Sequence, residues 1–233
     1  MAPGDAAAAY TIPPRTVDFA ESGRTPGEMT PLSVPLRLGF LASHGGSNLQ
    51  AILDAIAEGR LHAEARVAIS NNSASKALER ARHRGIRALH ISGQTHPQPE
   101  ALDAAIAAAL TGHGAELVVL AGYMKKLGPS VLQAFPRRIV NIHPALLPKF
   151  GGKGMYGIHV HEAVLAAGDR ESGASIHVDD SEYDRGPVLA QERAPVQPSD
   201  TPQTLQARVL TVEHRLYAAT LQRIATGEID LDA

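Results

Sequence analysis

The sequence contains no cysteine and no tryptophan. The first absence excludes a disulfide scaffold, a thiolate nucleophile and a Cys-based zinc site, and it fits a reducing compartment. Aromatic residues make up only 4% of the chain, so Ala, Val, Leu and Ile must fill most of the core. No run of 18 apolar residues occurs, which leaves no candidate transmembrane helix. The start, Met-Ala-Pro-Gly-Asp, lacks the basic-then-apolar order of a secretory signal. The expectation is a cytoplasmic protein with no membrane partner. Charge of one sign is also scarce: 22 Lys+Arg against 24 Asp+Glu leave a net charge of −2. Such a balance gives no broad field for nucleic acid, so none is expected as a partner. A G-x-S-x-G elbow and an H-E-x-x-H helix are both absent, against a Ser hydrolase and a zinc protease.

What is present divides into two parts. Residues 1–35 hold six of the 16 prolines and an Ala run, with little apolar periodicity. That is the composition of a flexible extension. Tyr10, Ile12 and Phe19 are the residues able to anchor it on a surface. From Leu36 onward, apolar runs of strand length alternate with helical stripes. The runs are Leu36–Ala42, Ala65–Ser70, Ile86–Ile91, Leu117–Ala121 and Ile139–His143. Between them, Leu49, Ile52, Leu53 and Ile56 share one helix face, Lys76–Arg84 stops at Gly85, Leu102, Ile106 and Leu110 end at Gly112, and Ser130–Phe135 stops at Pro136. This alternation predicts βαβ units and a parallel sheet covered on both faces. The last third changes rhythm, with a helix at His159–Ala167, strands at Ala174–Val178 and Val188–Val196, and a long amphipathic helix at Thr204–Ala225. The expected fold is α/β: a mostly parallel twisted sheet with helices on both faces, antiparallel C-terminal strands and a long C-terminal helix. Residues 36–233 are expected to form one domain.

Three stretches carry chemistry. Ser43-His44-Gly45-Gly46-Ser47-Asn48 joins a strand to a helix. Its glycines allow close backbone approach, and a helix N-terminus offers unpaired N–H groups to a phosphate. The loop has neither the Gly-Lys-Ser/Thr of a P-loop nor a dinucleotide fingerprint, so it suits one phosphate monoester. Equally, it reads as a plain turn capped by Ser47 or Asn48. In Asn141-Ile142-His143-Pro144, at a strand end, Asn141 and His143 point to one side because the side-chain period is two. An Asn amide can donate to a developing oxyanion, and a His can polarise a carbonyl or move a proton. The pair also reads as polar residues closing a strand. Asp184-Arg185-Gly186-Pro187 is an ordinary turn by composition. If it folds over the strand ends, Asp184 holds His143 in its charged form. His159 and His161 sit two apart at a helix start, where they diverge, so no metal is expected.

Taken together, Ser43–Gln50, Leu120–Met124, Asn141–Lys149 and Asp184–Pro187, with Val212-Glu213-His214, resemble the phosphoribosylglycinamide formyltransferase family, over residues 36–227. The resemblance implies a Rossmann-like formyltransferase fold. It implies that the amine of glycinamide ribonucleotide attacks the formyl group of 10-formyltetrahydrofolate, a co-substrate, and that no metal takes part. Asn141 and a protonated His143 would stabilise the oxyanion, and Asp184 would keep His143 charged and help move protons. Gly45, Gly46, Ser47 and Asn48 would hold the phosphate and ribose, and Glu213 would lie near the glycinamide end. Met124, Lys125 and Leu127, with Asp180, Tyr183 and Asp184 of the loop Asp180–Gly186, would wall the folate. Departures are Lys125 where the family usually has Arg, Tyr183 and Arg185 in the loop, and no Arg in Thr95–Glu100. Gly151–Gly157 is expected to be a mobile lid with Lys153 as a contact. The resemblance implies small-molecule partners and a monomer or homodimer. The alternative is formyltetrahydrofolate hydrolase, which carries a folded domain in front where this chain has the short, Pro-rich residues 1–35. Methionyl-tRNA formyltransferase is disfavoured by the net charge. A binding module without catalysis is disfavoured by the presence of Asn141, His143 and Asp184.

Overall fold

The computed structural model describes residues 34–180 and 182–232. The expectation for residues 1–35 falls, apart from Val34 and Pro35, outside them. The element order is β1 (Leu36–Ala42), α1 (Ser47–Ala57), β2 (Ala63–Ser70), α2 (Lys76–His83), β3 (Arg87–His90), α3 (Pro99–Gly112), β4 (Leu117–Leu120), α4 (Pro129–Ala134), β5 (Ile139–His143), α5 (Ile158–Ala166), β6 (Glu171–Val178), β7 (Val188–Pro195) and α6 (Pro202–Ala225). One sheet takes the order β3-β2-β1-β4-β5-β6-β7. The strands β1 to β5 pair in parallel, and β6 and β7 are added antiparallel. The expected fold class is therefore what forms.

The chain runs outward from β1 to β3, then crosses back to β4. That reversal sends α1 and α2 to one face and α3 and α4 to the other. On the first face, Leu49, Ile52 and Leu53 of α1 pack with Leu205, Val209, Leu216 and Tyr217 of α6 against Leu38, Phe40 and Val140. On the second, Ile106 and Leu110 of α3 and Val131 of α4 cover Leu41, Val67, Val118 and Ile139. Strands covered on both sides have no polar side to alternate with, which is why β1 from Leu38 onward and β4 read as unbroken apolar runs. Tyr217, fully buried, directs its hydroxyl at the carbonyls of Leu120 (3.1 Å) and Val140 (2.8 Å), tying α6 to the ends of β4 and β5.

Boundaries differ from the sequence reading where something other than apolar pattern sets them. The helices α3 and α6 start at Pro99 and Pro202, with proline in the first turn where its missing N–H is not needed. The strand β6 begins at Glu171 rather than Ala174, because Ser172 and Gly173 pair with Ala194 and Arg193 of β7. Gly173 makes that pairing possible, since a Cβ there would lie 2.1 Å from the Glu192 carbonyl oxygen.

The connection from β4 to α4 is fixed from below. Asp103, a buried residue of α3, accepts from the backbone N–H groups of Gly128 (3.0 Å) and Ser130 (2.6 Å), satisfying donors that the start of α4 leaves free. Asp103→Ala leaves both amides without an acceptor. A loss of about 1–3 kcal/mol in unfolding free energy is expected, measured as a lower urea midpoint at constant slope.

Candidate active site

In a sheet of this order, ligands bind at the carboxyl ends of the strands where the chain reverses, here between β1 and β4. Ser43, just past β1, joins the two ends. Its N–H donates to the Gly122 carbonyl (3.0 Å), its hydroxyl donates to Asn71 Oδ1 (2.7 Å), and it accepts from the Met124 N–H (2.8 Å). Beside it, Gly46 caps α1 in the left-handed conformation (φ 64°). A Cβ at that position would also meet Ala77 at 2.7 Å, so glycine is required twice over. No side chain caps α1. The reading of Ser47 or Asn48 as a cap is therefore corrected: Asn48 turns inward instead, and its Nδ2 donates to Glu213 Oε2 at 2.8 Å. The first N–H groups of α1 are left open to a ligand. Asn48 and Glu213 are both buried. Burial raises the Glu213 pKa, opposed by the Asn48 hydrogen bond and by the charge of His143.

The second half of the site stands on β5 and β6. Register pairs Asn141 with His177 and His143 with Ser175. Asn141 Nδ2 lies 3.1 Å from His177 Nε2, while His177 Nδ1 faces the Val178 carbonyl at 3.0 Å. His177 Nε2 thus stands between the Asn141 amide and Asp184, and this contact fixes the direction of the amide. His143, 3% exposed, sits between two acceptors: Asp184 Oδ2 lies 3.5 Å from Nδ1, and the Phe150 carbonyl lies 2.8 Å from Nε2. Only a doubly protonated ring donates to both. Asp184 Oδ1 is also 3.4 Å from His177 Nε2, and Asp184 Oδ2 accepts from the Gly152 N–H at 2.9 Å. Burial pushes the Asp184 carboxyl pKa up, but hydrogen bonds from His143 and His177 outweigh it and hold it well below the usual carboxylate range. Asp184 (φ 55°) and Phe150 (φ 59°) are held in left-handed backbone, a conformation non-glycine residues keep only when surroundings impose it.

Asn141, His143 and Asp184 thus form one cluster, as the turn reading required. Glu213 and Asn48 face it across the strand ends. Met124 is 43% exposed and Leu127 is buried in the second core. Lys125 is exposed. Tyr183 is exposed with the Lys126 ammonium 5.8 Å from its ring centre. Asp180 turns back on its own loop, accepting from the Glu182 N–H at 2.7 Å. In the expected lid, the Gly152 N–H is engaged by Asp184 and Lys153 is exposed. His159 is exposed and paired with Glu162 at 3.0 Å, whereas His161 is buried with Nδ1 unpaired, its pKa lowered to about 4 by burial and then by His143. Among the described residues, no group of three or more His, Cys, Asp or Glu is placed to hold a metal ion, and no helix is long and apolar enough to cross a membrane. The sequence reading missed His177, Ser175 and the backbone of Phe150 and Gly152. Ser175 donates to the Ala145 carbonyl at 2.6 Å and accepts from the Leu147 N–H at 3.0 Å, shaping the turn after His143.

The chain belongs to the formyl transferase family, whose model matches residues 36–221. Within that class, the relatives it matches include phosphoribosylglycinamide formyltransferases. The chloroplastic protein of Arabidopsis thaliana is 40% identical over 194 residues, 83% of this chain and 66% of that protein, so this chain spans just under two thirds of that relative. The Mycobacterium tuberculosis (strain ATCC 25618 / H37Rv) protein is 40% identical over 196 residues, 84% of this chain and 88% of its own. The crystal structure of glycinamide ribonucleotide transformylase 1 from Symbiobacterium toebii aligns with a TM-score of 0.80 at 39% identity, over 87% of this chain and 94% of that one. A formyltetrahydrofolate deformylase from Pseudomonas syringae aligns with a TM-score of 0.74 at 23% identity over 83% of this chain and 62% of that one, a likeness of fold alone.

A carboxyl whose pKa is depressed in the folded state contributes stability above its unfolded pKa of about 3.9, and that contribution is lost as pH falls toward the folded value. Asp184 is such a group. Unfolding free energy is therefore expected to drop below about pH 4, and Asp184→Asn is expected to flatten that slope in acid denaturation followed by circular dichroism.

Proposed function

We propose that this protein transfers the formyl group of 10-formyltetrahydrofolate to the amine of glycinamide ribonucleotide, a step of purine biosynthesis. The observation that carries the reading is the single cluster of Asn141, His143 and Asp184 facing the buried Asn48–Glu213 pair and the open start of α1. The phosphate is received by Gly45, Gly46, Ser47 and Asn48 backbone at that helix start. Glu213 accepts at the glycinamide end. Met124, Lys125 and Leu127 line the folate side with Asp180, Tyr183 and Asp184. The Asn141 amide, oriented by His177, donates to the oxyanion that forms as the amine attacks the formyl carbon. His143, charged between Asp184 and the Phe150 carbonyl, places a positive charge beside it. Asp184 keeps that charge in place and helps move the amine's proton to N10 of the folate as the formyl carbon–N10 bond breaks, leaving formylglycinamide ribonucleotide and tetrahydrofolate. A donor fixed before the reaction needs no reorganisation at the moment charge develops. The same proposal has residues 36–233 acting as one domain behind the extension 1–35, in the cytoplasm, with small-molecule partners.

Incubation with 10-formyltetrahydrofolate, followed by mass spectrometry, tests this. Formylated ribonucleotide is expected when glycinamide ribonucleotide is present, and no free formate when it is absent. Formate released without the ribonucleotide would assign hydrolysis instead. Asn141→Ala is expected to lower kcat by roughly 10²–10³-fold, read in the same assay; an unchanged rate would remove Asn141 from the chemistry.

A further inference from the structure

The loop that opens α1 carries no Lys or Arg from Ser43 to Gln50. It is held from behind by α2. The His44 carbonyl accepts from the Ala77 N–H (3.1 Å) and from the Ser75 hydroxyl (2.8 Å). The next carbonyl, that of Gly45, accepts from Arg80 Nε at 3.0 Å. The guanidinium is fixed a second time, since its Nη1 donates to Gln50 Oε1 at 3.0 Å. Gln50 in turn donates through Nε2 to Asp54 Oδ1 at 2.8 Å, and Asp54 also pairs with Arg84. Two successive loop carbonyls are thus drawn toward α2. In a trans peptide the N–H points opposite to the C=O, so the Gly45 and Gly46 N–H groups turn away from α2. Left-handed Gly46 carries this row of N–H groups into the start of α1, the backbone arrangement that makes an anion-binding concavity. Further round the same turn, Asn48 is 7% exposed. Its Nδ2 bonds Glu213, while its Oδ1 is buried with no hydrogen-bond partner among the described residues. A buried acceptor left open there calls for a donor from a ligand.

We propose that Arg80 is a positioning residue for the phosphate of glycinamide ribonucleotide. The inference rests on the reading of this loop as the phosphate site. Arg80 acts through the loop. Its bond to the Gly45 carbonyl keeps that oxygen, a partial negative charge, turned from the phosphate dianion. The same bond keeps the Gly46 N–H, in the same peptide plane, turned toward it. Held by Gly45 and Gln50 together, the guanidinium also sets a fixed positive charge behind a loop that has no cation of its own. Ser75 and the Ala77 N–H do for the His44 carbonyl what Arg80 does for Gly45, without the charge. A lysine at position 80 would keep the charge but lose the planar fork that reaches two acceptors at once.

The test measures formyl transfer to glycinamide ribonucleotide and to glycinamide riboside, which has no phosphate, with ribose 5-phosphate as a competitor. In Arg80→Met the KM for the ribonucleotide and the inhibition constant of ribose 5-phosphate are each expected to rise about 10-fold, the worth of a hydrogen bond to a charged group. The kcat and the KM for 10-formyltetrahydrofolate hold, and kcat/KM for the riboside is the same as in the wild type. Arg80→Lys recovers part of the loss. Gln50→Leu, which removes the second anchor of the guanidinium, weakens ribose 5-phosphate in the same direction and keeps the test open should Arg80→Met fold poorly. Unchanged constants in Arg80→Met and Gln50→Leu, or an equal loss with ribonucleotide and riboside, would overturn the assignment and leave Arg80 a support of the fold. If the wild-type protein prefers neither substrate and ignores ribose 5-phosphate, the phosphate reading itself fails and this inference with it.

Discussion

The site depends on one carboxylate. Asp184 reaches three groups from three segments: His143 on β5, His177 on β6 and the Gly152 N–H after the β5 turn. A buried carboxylate is stable only when donors surround it, and these donors outweigh its burial, as the depressed pKa records. The histidines in turn need it. His143 has acceptors at both nitrogens, and His177 sets the Asn141 amide between the carboxylate and the strand. Removing Asp184 therefore leaves His143 without one acceptor and frees the loop that carries the Gly152 amide.

Sheet topology decides why these groups meet. The reversal after β3 places the ends of β1 and β4 side by side, and Ser43 bonds both. The strand β6 then runs antiparallel beside β5, so His177 and Asn141 stand directly opposite each other. That pairing ends β6 beside the start of β5, so the connection that follows doubles back along β5 to bring Asp184 to His143. The antiparallel pair is part of the chemistry as well as the edge of the sheet.

The sequence made the order of elements legible because doubly covered strands are continuous apolar runs and helices carry stripes. It also made Asn141 and His143 legible as a pair, since a period of two puts them on one side whatever the sheet does. It did not reveal His177. That residue sits in a strand read only from Ala174 onward, and its importance comes from the β5–β6 register, which no local pattern encodes. Asn48 shows the same limit. Its position in a Gly-Ser-Asn turn favours a cap, yet its amide is drawn to Glu213, 165 residues away. A cap competes only with water, whereas Glu213 is a buried carboxylate that must find a donor. The long-range demand wins.

The two left-handed residues of the site, unlike Arg137 elsewhere, follow from the same demand. Phe150 and Asp184 both accept a backbone conformation that disfavours side chains, and each does so next to His143. Phe150 turns its carbonyl to Nε2, and Asp184 turns its carboxylate to Nδ1. Two residues away, the Gly152 N–H closes the ring by donating to Asp184. Phe150, Gly152 and Asp184 thus hold each other around one imidazole. Both contacts come from one ring, so removing that imidazole releases the Asp184 carboxylate and the Phe150 carbonyl together.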